Sequence, residues 1–218
     1  MTGAAAKSNN PIAILLLFAY VILFIALAIH PYARDVWFTE NMTILPIVVI
    51  LTIMYLRGAR FSTTAYVLMS FLIFMHTIGG HYTFERVPFD FVNHLFGWQR
   101  NNYDRVAHTT VGFYAFAVAE FVESRRLVKN KWMAVTFAIC AIMAVACAYE
   151  IFEWRYAVSS DPKAGLAVLG SQGDIWDAQE DMLCDTTGGF IAAAIYLIAR
   201  RKSSSLQPNP DLIATARK

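Results

Sequence analysis

The stretch from Gly170 to Phe190, GSQGDIWDAQEDMLCDTTGGF, places five acidic residues where an apolar run, IAAAIYLIA, begins. On a helix that starts near Asp174, four of them would lie within an arc of about 80°. The four are Asp174, Asp177, Asp181 and Asp185. An acid in the first helical turn can simply cap the positive end of the helix dipole. Capping explains Asp174 and Asp177 but not the two deeper acids, which favours a functional acidic face.

Three other segments bring residues of metal-ligand type to the ends of apolar runs. YDRVAH places Asp104 and His108 four residues apart, which on a helix is about 40° apart. YEIFEW carries Glu150 and Glu153 at a spacing of about one turn. GGHY carries His81 just after another apolar run, although a single histidine there more often has a structural role. Four segments with such residues at similar depth predict one shared site.

Repulsion between the converging carboxylates indicates what the predicted site would bind. Two carboxylates ~4 Å apart repel by roughly 4 kcal/mol at an effective dielectric constant of 20. Arg105 and Arg155 are too few to neutralise all the converging acids, so some are protonated or a cation is bound. Histidine together with carboxylates suits zinc, manganese or iron better than calcium or magnesium. The expected cofactor is therefore a divalent metal, zinc or manganese. The candidate ligands are Asp104, His108, Glu150, Asp181, Asp185 and His81.

The elements that position these residues are predicted to be membrane helices. Of the 218 residues, 57% are hydrophobic, which is too apolar for a soluble domain of this size. We predict an all-α polytopic membrane protein, with residues 11–202 as a single six-helix transmembrane domain between tails at 1–10 (disordered) and 203–218. The predicted spans are Ile12–Ile29, Thr43–Leu56, Thr63–Ile78, Asp104–Phe121, Trp132–Trp154 and Asp174–Ala199. Nothing suggests a nucleic-acid partner, and the sequence leaves the oligomeric state open.

The distribution of basic residues predicts the orientation. With six spans, the tails and two loops on one side hold twelve Lys and Arg residues, whereas the other side holds six. Basic residues accumulate on the cytoplasmic side of membrane proteins, so both termini are predicted to be cytoplasmic. Thirteen of the sixteen acids fall on the other side. The acidic face is therefore predicted to open outside the cell.

An internal repeat relates two of the acidic helix starts. DRVAHTTVGF, from Asp104 to Phe113, has five identities in ten positions with DMLCDTTGGF, from Asp181 to Phe190. This pattern predicts that the last four helices are two tandem hairpins related by an axis along the membrane normal. The glycines of both segments would let the two helices approach closely. A chance likeness between two polar helix starts is the alternative.

Several motifs together resemble known bacterial families. GGHYTFERVP, NNYDRVAH, YEIFEW and GSQGDIWDAQEDM, in this order over about residues 60–200, resemble the YjdF-like inner-membrane proteins. More loosely, DRVAHTTVGF, YEIFE and EDMLCDTTGG resemble the signatures of VanZ-like proteins, which are linked to glycopeptide-antibiotic tolerance. Arg105, Glu153 and Asp185 replace the lysine, glutamine and asparagine of those signatures. The resemblance implies a multi-pass inner-membrane protein and establishes no reaction.

The sequence leaves three functions open. One is a metal-dependent hydrolase or transferase that acts on a membrane lipid or lipid-linked envelope precursor at the outer face. In that interpretation Glu153 or Asp177 is the general base, and Arg105 clamps an anion. The second is a proton- or cation-coupled transporter, and the third is a non-catalytic scaffold or binding protein. The charges collect near one face, whereas transporter sites usually lie near the midplane, which disfavours the second.

Overall fold

The computed structural model describes residues 10–159 and 171–205, and within these residues the fold is helical, without strands. One 3₁₀ turn, Ser171–Gly173, precedes the last helix. The helices are α1 (Pro11–Leu27), α2 (Arg34–Leu56), α3 (Thr63–Tyr82), α4 (Asp90–Phe96), α5 (Tyr103–Gly112), α6 (Tyr114–Ser124), α7 (Lys131–Ser159) and α8 (Asp177–Ser205). The predicted tails and part of the predicted loop before α8, at 1–9, 160–170 and 206–218, lie outside the described residues.

Four of these helices, α2, α3, α7 and α8, are long and apolar enough to cross a membrane. The first predicted span is a shorter apolar helix of 17 residues, α1. The fourth predicted span is divided into α5 and α6 at Phe113, whose N–H bonds to Thr110 in an i→i−3 pattern. Large apolar side chains such as Phe18, Val49 and Phe137 are more than half exposed, as a lipid-facing surface requires.

Several helix boundaries differ from the sequence prediction, and three of them bear on the site. α2 begins at Arg34 rather than Thr43, since Trp37 and Asn41 are buried in the helix packing. α3 continues through its glycine pair to Tyr82. α8 begins at Asp177 rather than Asp174, because the Asp174 carboxylate accepts the backbone N–H of Trp176 at 2.9 Å in the turn before the helix.

Small residues allow the helices of the main core to pack closely. Ala65 of α3, Ala115 of α6, Ala138 of α7 and Ala192 of α8 are all completely buried in one cluster. Alanine and glycine at such positions let helix backbones approach without large side chains between them. This packing holds α7 against α6 and α8 and so positions the polar ends of the helices.

The backbones of α5 and α8 pack in direct contact. A methyl group on Gly188 would overlap the Thr109 carbonyl, and one on Gly112 would overlap the backbone of Asp185 and Gly189. The two helix backbones therefore touch only because these positions carry no side chain. The predicted repeat requires this contact between α5 and α8, while the rotation that would relate the two hairpins remains a prediction.

Candidate functional site

The contact between α5 and α8 builds a polar cluster around His108. His108 Nδ1 lies 3.1 Å from Asp185 Oδ1, so this ring nitrogen donates to the carboxylate. The other nitrogen, Nε2, lies 3.8 Å from Asp104 Oδ1 and 3.7 Å from Asp181 Oδ1. These distances are too long for hydrogen bonds. Nε2 therefore faces two carboxylate oxygens with space between the three atoms.

The three groups that face one another have the donor types of a metal site. Ligand atoms of Asp104, His108 and Asp181 all lie within 4.8 Å of one another. In a tetrahedral zinc site with bonds of ~2.0–2.1 Å, neighbouring ligand atoms are about 3.3 Å apart. The observed separations from Nε2 exceed that value by only about half an ångström, which small side-chain rotations can close. We call these three residues the triad, and its donor set fits zinc or manganese.

Asp185 has a different position from that predicted for a ligand. It is 2% exposed and bonds to His108 on the side away from the triad. Metal-binding histidines commonly donate their second ring N–H to a carboxylate, which fixes the tautomer and the ring orientation. Asp185 thus orients His108 and leaves Nε2 available to a cation.

Arg105 ties α5 to α8 beside the triad. Its guanidinium donates to Asp181, to Asp177 at 2.6 Å and to Glu180 at 3.2 Å. The side chain is 9% exposed, and Asp174 lies 3.2 Å from Nη2. The prediction that Arg105 clamps a substrate anion does not fit this arrangement, because protein carboxylates already surround the guanidinium. It holds the acids of α8 in place instead.

The turn before α8 completes this charge network. Arg100 donates to Asp174 at 2.6 Å and lies 3.4 Å from Asp177. The backbone N–H of Trp176, followed by the charges of Arg100 and Arg105, lowers the pKa of the Asp174 carboxyl below its usual value. Asp174 is therefore ionised at neutral pH. Asp177, a predicted general base, accepts hydrogen bonds from both arginines, so its carboxylate is part of this charge network.

A cavity of about 950 Å³ opens beside the triad and is lined by α2, α3, α5, α7 and α8. On four of these helices the lining changes from polar to apolar about one turn further into the helix. The pairs are Glu40 and Ile44 on α2, His76 and Leu72 on α3, His108 and Val111 on α5, and Tyr149 and Val145 on α7. The cavity is therefore amphipathic, with its acidic end at the triad and its apolar end toward the middle of the helices.

Sequence reasoning missed Glu40 as a member of this cavity and left His76 out of the predicted site. Glu40 Oε2 lies 3.0 Å from His76 Nε2, and both side chains are largely buried in the cavity wall. Glu40 was missed because it precedes the predicted start of the second span, and the polar segment before Thr43 gave no hydrophobic signal. The internal repeat has an offset of 77 residues, from Asp104 to Asp181, and the same offset aligns His76 with Glu153, which is the signal that could identify His76.

The remaining predicted site residues divide into two groups. Glu153 lines the cavity. Glu150 is buried and interacts electrostatically with His108 and Asp181. Glu150 Oε1 has no hydrogen-bond partner among the described residues. His81, by contrast, is not brought to the triad: its Nδ1 donates to the Leu27 carbonyl at 2.7 Å, and its ring packs edge-on against Trp37.

Comparisons with known proteins agree with the membrane architecture. The family described as "Predicted membrane protein (DUF2238)" matches residues 12–202. "Inner membrane protein YjdF" of Escherichia coli (strain K12) is 32% identical over 165 residues, which cover 73% of this chain and 77% of that protein. No solved structure matches the chain. From its match over residues 12–202, the chain belongs to the DUF2238 family of membrane proteins, and its apolar helices and its inner-membrane relative identify it as a multi-pass inner-membrane protein.

Proposed function

We propose that the protein is a metal-dependent hydrolase or transferase that acts on a membrane lipid or lipid-linked envelope precursor. The observation that carries the proposal is the orientation of His108, whose Nδ1 is held by Asp185 while Nε2 faces Asp104 and Asp181. A zinc or manganese ion in the triad would polarise an ester or phosphoryl oxygen and lower the pKa of a bound water to ~7. Glu150 Oε1, which has no hydrogen-bond partner in the part of the chain that the structure describes, is a further buried acceptor beside the same charges.

The shape of the cavity supports a lipid substrate. An amphiphile fits with its head group at the acidic end and its chain along the apolar lining around Leu72 and Val111. The volume is near the upper end of the ~300–1,000 Å³ range of small-molecule sites. The resemblance to VanZ-like signatures, which rests on sequence alone, is the reason for including an envelope precursor among the proposed substrates. In this proposal Glu153 is the general base, because it lines the cavity without being bound by Arg105.

The test of the enzyme proposal is turnover of a lipid phosphodiester by purified protein. We expect hydrolysis of a short-chain p-nitrophenyl phospholipid that is lost on chelation and restored by Zn²⁺ or Mn²⁺. Glu153→Gln should lower turnover by about 10²–10⁴-fold, the usual contribution of a general base. Metal content should not change in this variant. Equal turnover by Glu153→Gln and the unsubstituted protein would exclude Glu153 as the base.

The proposed orientation has six spans, with α5 and α6 together as the fourth, and both termini cytoplasmic. It follows from the twelve-to-six distribution of Lys and Arg, and it opens the acidic end of the cavity outside the cell. Alkaline phosphatase fused after Gly97 should be active, because this enzyme folds only outside the cytoplasm, whereas a fusion after Lys202 should be inactive. An active fusion after Lys202 would overturn the orientation.

Two alternatives have observations behind them. A cation-coupled transporter would use the same triad, and the break between α5 and α6 is of the kind that transporter helices show near a binding site. A non-catalytic scaffold would need the acids only to cap helices and pair with Arg100 and Arg105. We prefer the enzyme proposal because ion pairing with arginine does not explain why His108 Nε2 faces the carboxylates of Asp104 and Asp181.

A further inference from the structure

We propose that His76, held by Glu40, is the general acid of the reaction in this cavity. The inference rests on the proposed function. It adds a catalytic residue from α3, His76, and a positioning residue from α2, Glu40. The two side chains are 12% and 17% exposed and line the same cavity as the triad. Among the described residues, neither side chain contacts Arg105, which pairs with Asp174, Asp177, Glu180 and Asp181.

The hydrogen bonds of His76 define which nitrogen is available. Nε2 lies 3.0 Å from Glu40 Oε2 and 3.3 Å from Thr43 Oγ1. The Thr43 hydroxyl donates to the Glu40 carbonyl at 2.7 Å, so its oxygen can only accept from Nε2. Nε2 therefore carries a hydrogen. Nδ1 has no hydrogen-bond partner among the described residues, which leaves it as the atom that exchanges a proton.

The glycine pair of α3 builds this arrangement. A methyl group on Gly80 would come within 3.0 Å of Glu40 Cβ, so glycine allows α2 to bring Glu40 close to α3. The absence of a side chain on Gly79 gives room to the ring of Phe84, which packs edge-on against His76 at 5.1 Å. Phe84 reaches this position because the chain reverses there, with φ of 58° at Thr83 and 52° at Phe84.

The chemistry assigned to the pair is protonation of a leaving group. We take a phosphodiester as the substrate class, because a divalent cation in the triad offsets its negative charge in an acidic cavity. Water attacks phosphorus and loses its proton to Glu153 as the new P–O bond forms. The bond from phosphorus to the leaving oxygen breaks, and that oxygen takes the proton from His76 Nδ1. Glu40 accepts from Nε2 and so orients the ring, as a carboxylate does for a catalytic histidine.

A leaving-group comparison tests the assignment. Two dioctanoylglycerol phosphodiesters serve as probes, one with p-nitrophenol and one with ethanolamine as the leaving alcohol. p-Nitrophenolate leaves without protonation, whereas the alkoxide of ethanolamine requires a proton. His76→Gln should therefore lower turnover of the ethanolamine probe by about 10²–10⁴-fold. It should slow the p-nitrophenol probe by less than about 10-fold, since a general acid contributes little to a good leaving group.

His81→Gln is the matched control, because His81 lies on the same helix and bonds to a backbone carbonyl outside the cavity. It should leave the ratio of the two rates unchanged. Metal content measured on all three proteins separates the possible failures. Equal slowing of both probes by His76→Gln would show that the pair only ties α2 to α3 and would overturn the inference alone. No turnover of either probe by the metal-loaded unsubstituted protein would overturn the proposed function and the inference together.

Discussion

Gly188→Ala is expected to destabilise the protein strongly, whereas Gly189→Ala is expected to be nearly neutral. A methyl group at position 188 would overlap the Thr109 carbonyl and lie 3.1 Å from the Cα of Gly112. Backbone atoms cannot turn aside as a flexible side chain can, so α5 and α8 must separate. Overpacking of this kind costs about 1–3 kcal/mol or more. The apparent midpoint of thermal unfolding in detergent should fall by roughly 5–10 °C.

Gly189 gives a stringent control because it is the next residue on the same helix. A methyl group there would meet only Ile142, with its nearest atom at 3.8 Å, an ordinary van der Waals distance. Alanine also has the higher helix propensity, which offsets small losses by ~1 kcal/mol. Equal midpoints for the two variants would mean that the close contact between α5 and α8 does not exist in the folded protein.

Asp181→Asn is expected to lower stability and to abolish stabilisation by added metal. Asp181 is 3% exposed, accepts from Arg105 and belongs to the triad. Loss of a charged hydrogen bond at a buried site costs about 1–3 kcal/mol. A bound ion stabilises the folded state by about 2.7 kcal/mol at a hundred times its Kd, and this response should disappear with the ligand. Thermal unfolding of metal-stripped protein with and without Zn²⁺ or Mn²⁺ measures both effects.

Glu180→Gln is the control for this prediction, since Glu180 also bonds to Arg105 but is half exposed and outside the triad. It should keep the full response to metal. The scaffold alternative also predicts a lower midpoint for Asp181→Asn, because the ion pair with Arg105 is lost in either case, but it predicts no response to metal in any of these proteins. Equal midpoints with and without added metal in the unsubstituted protein would favour the scaffold.

The convergence of α5, α7 and α8 could be predicted from sequence because long apolar runs ended in acids and histidines of similar depth. Glu40 could not be predicted in this way. The segment before Thr43 is polar, and α2 extends through it only because Trp37 and Asn41 pack inside the fold. Such tertiary contacts override the hydropathy pattern from which the span was predicted.

His81 shows that a histidine close in sequence to site residues need not belong to the site. Because α3 continues through the glycine pair, His81 follows His76 on one helix, five residues and thus about 140° further around its axis. One histidine therefore faces the cavity and the other contacts α1. The sequence also does not show which acid bonds to His108 Nδ1. Asp104, Asp181 and Asp185 all lie about one turn from a helix neighbour of ligand type, and only the structure assigns this bond to Asp185.

The central claim is that the triad binds a divalent metal, and metal content tests it most directly. Elemental analysis of protein purified after incubation with Zn²⁺ or Mn²⁺ should find about one ion per chain, as expected for a single site. The combined Asp181→Asn and His108→Ala substitutions should remove it. His81→Ala should retain the ion, because that histidine bonds to Leu27 instead. Equal metal content in the combined variant and the unsubstituted protein, or none in either, would contradict the account.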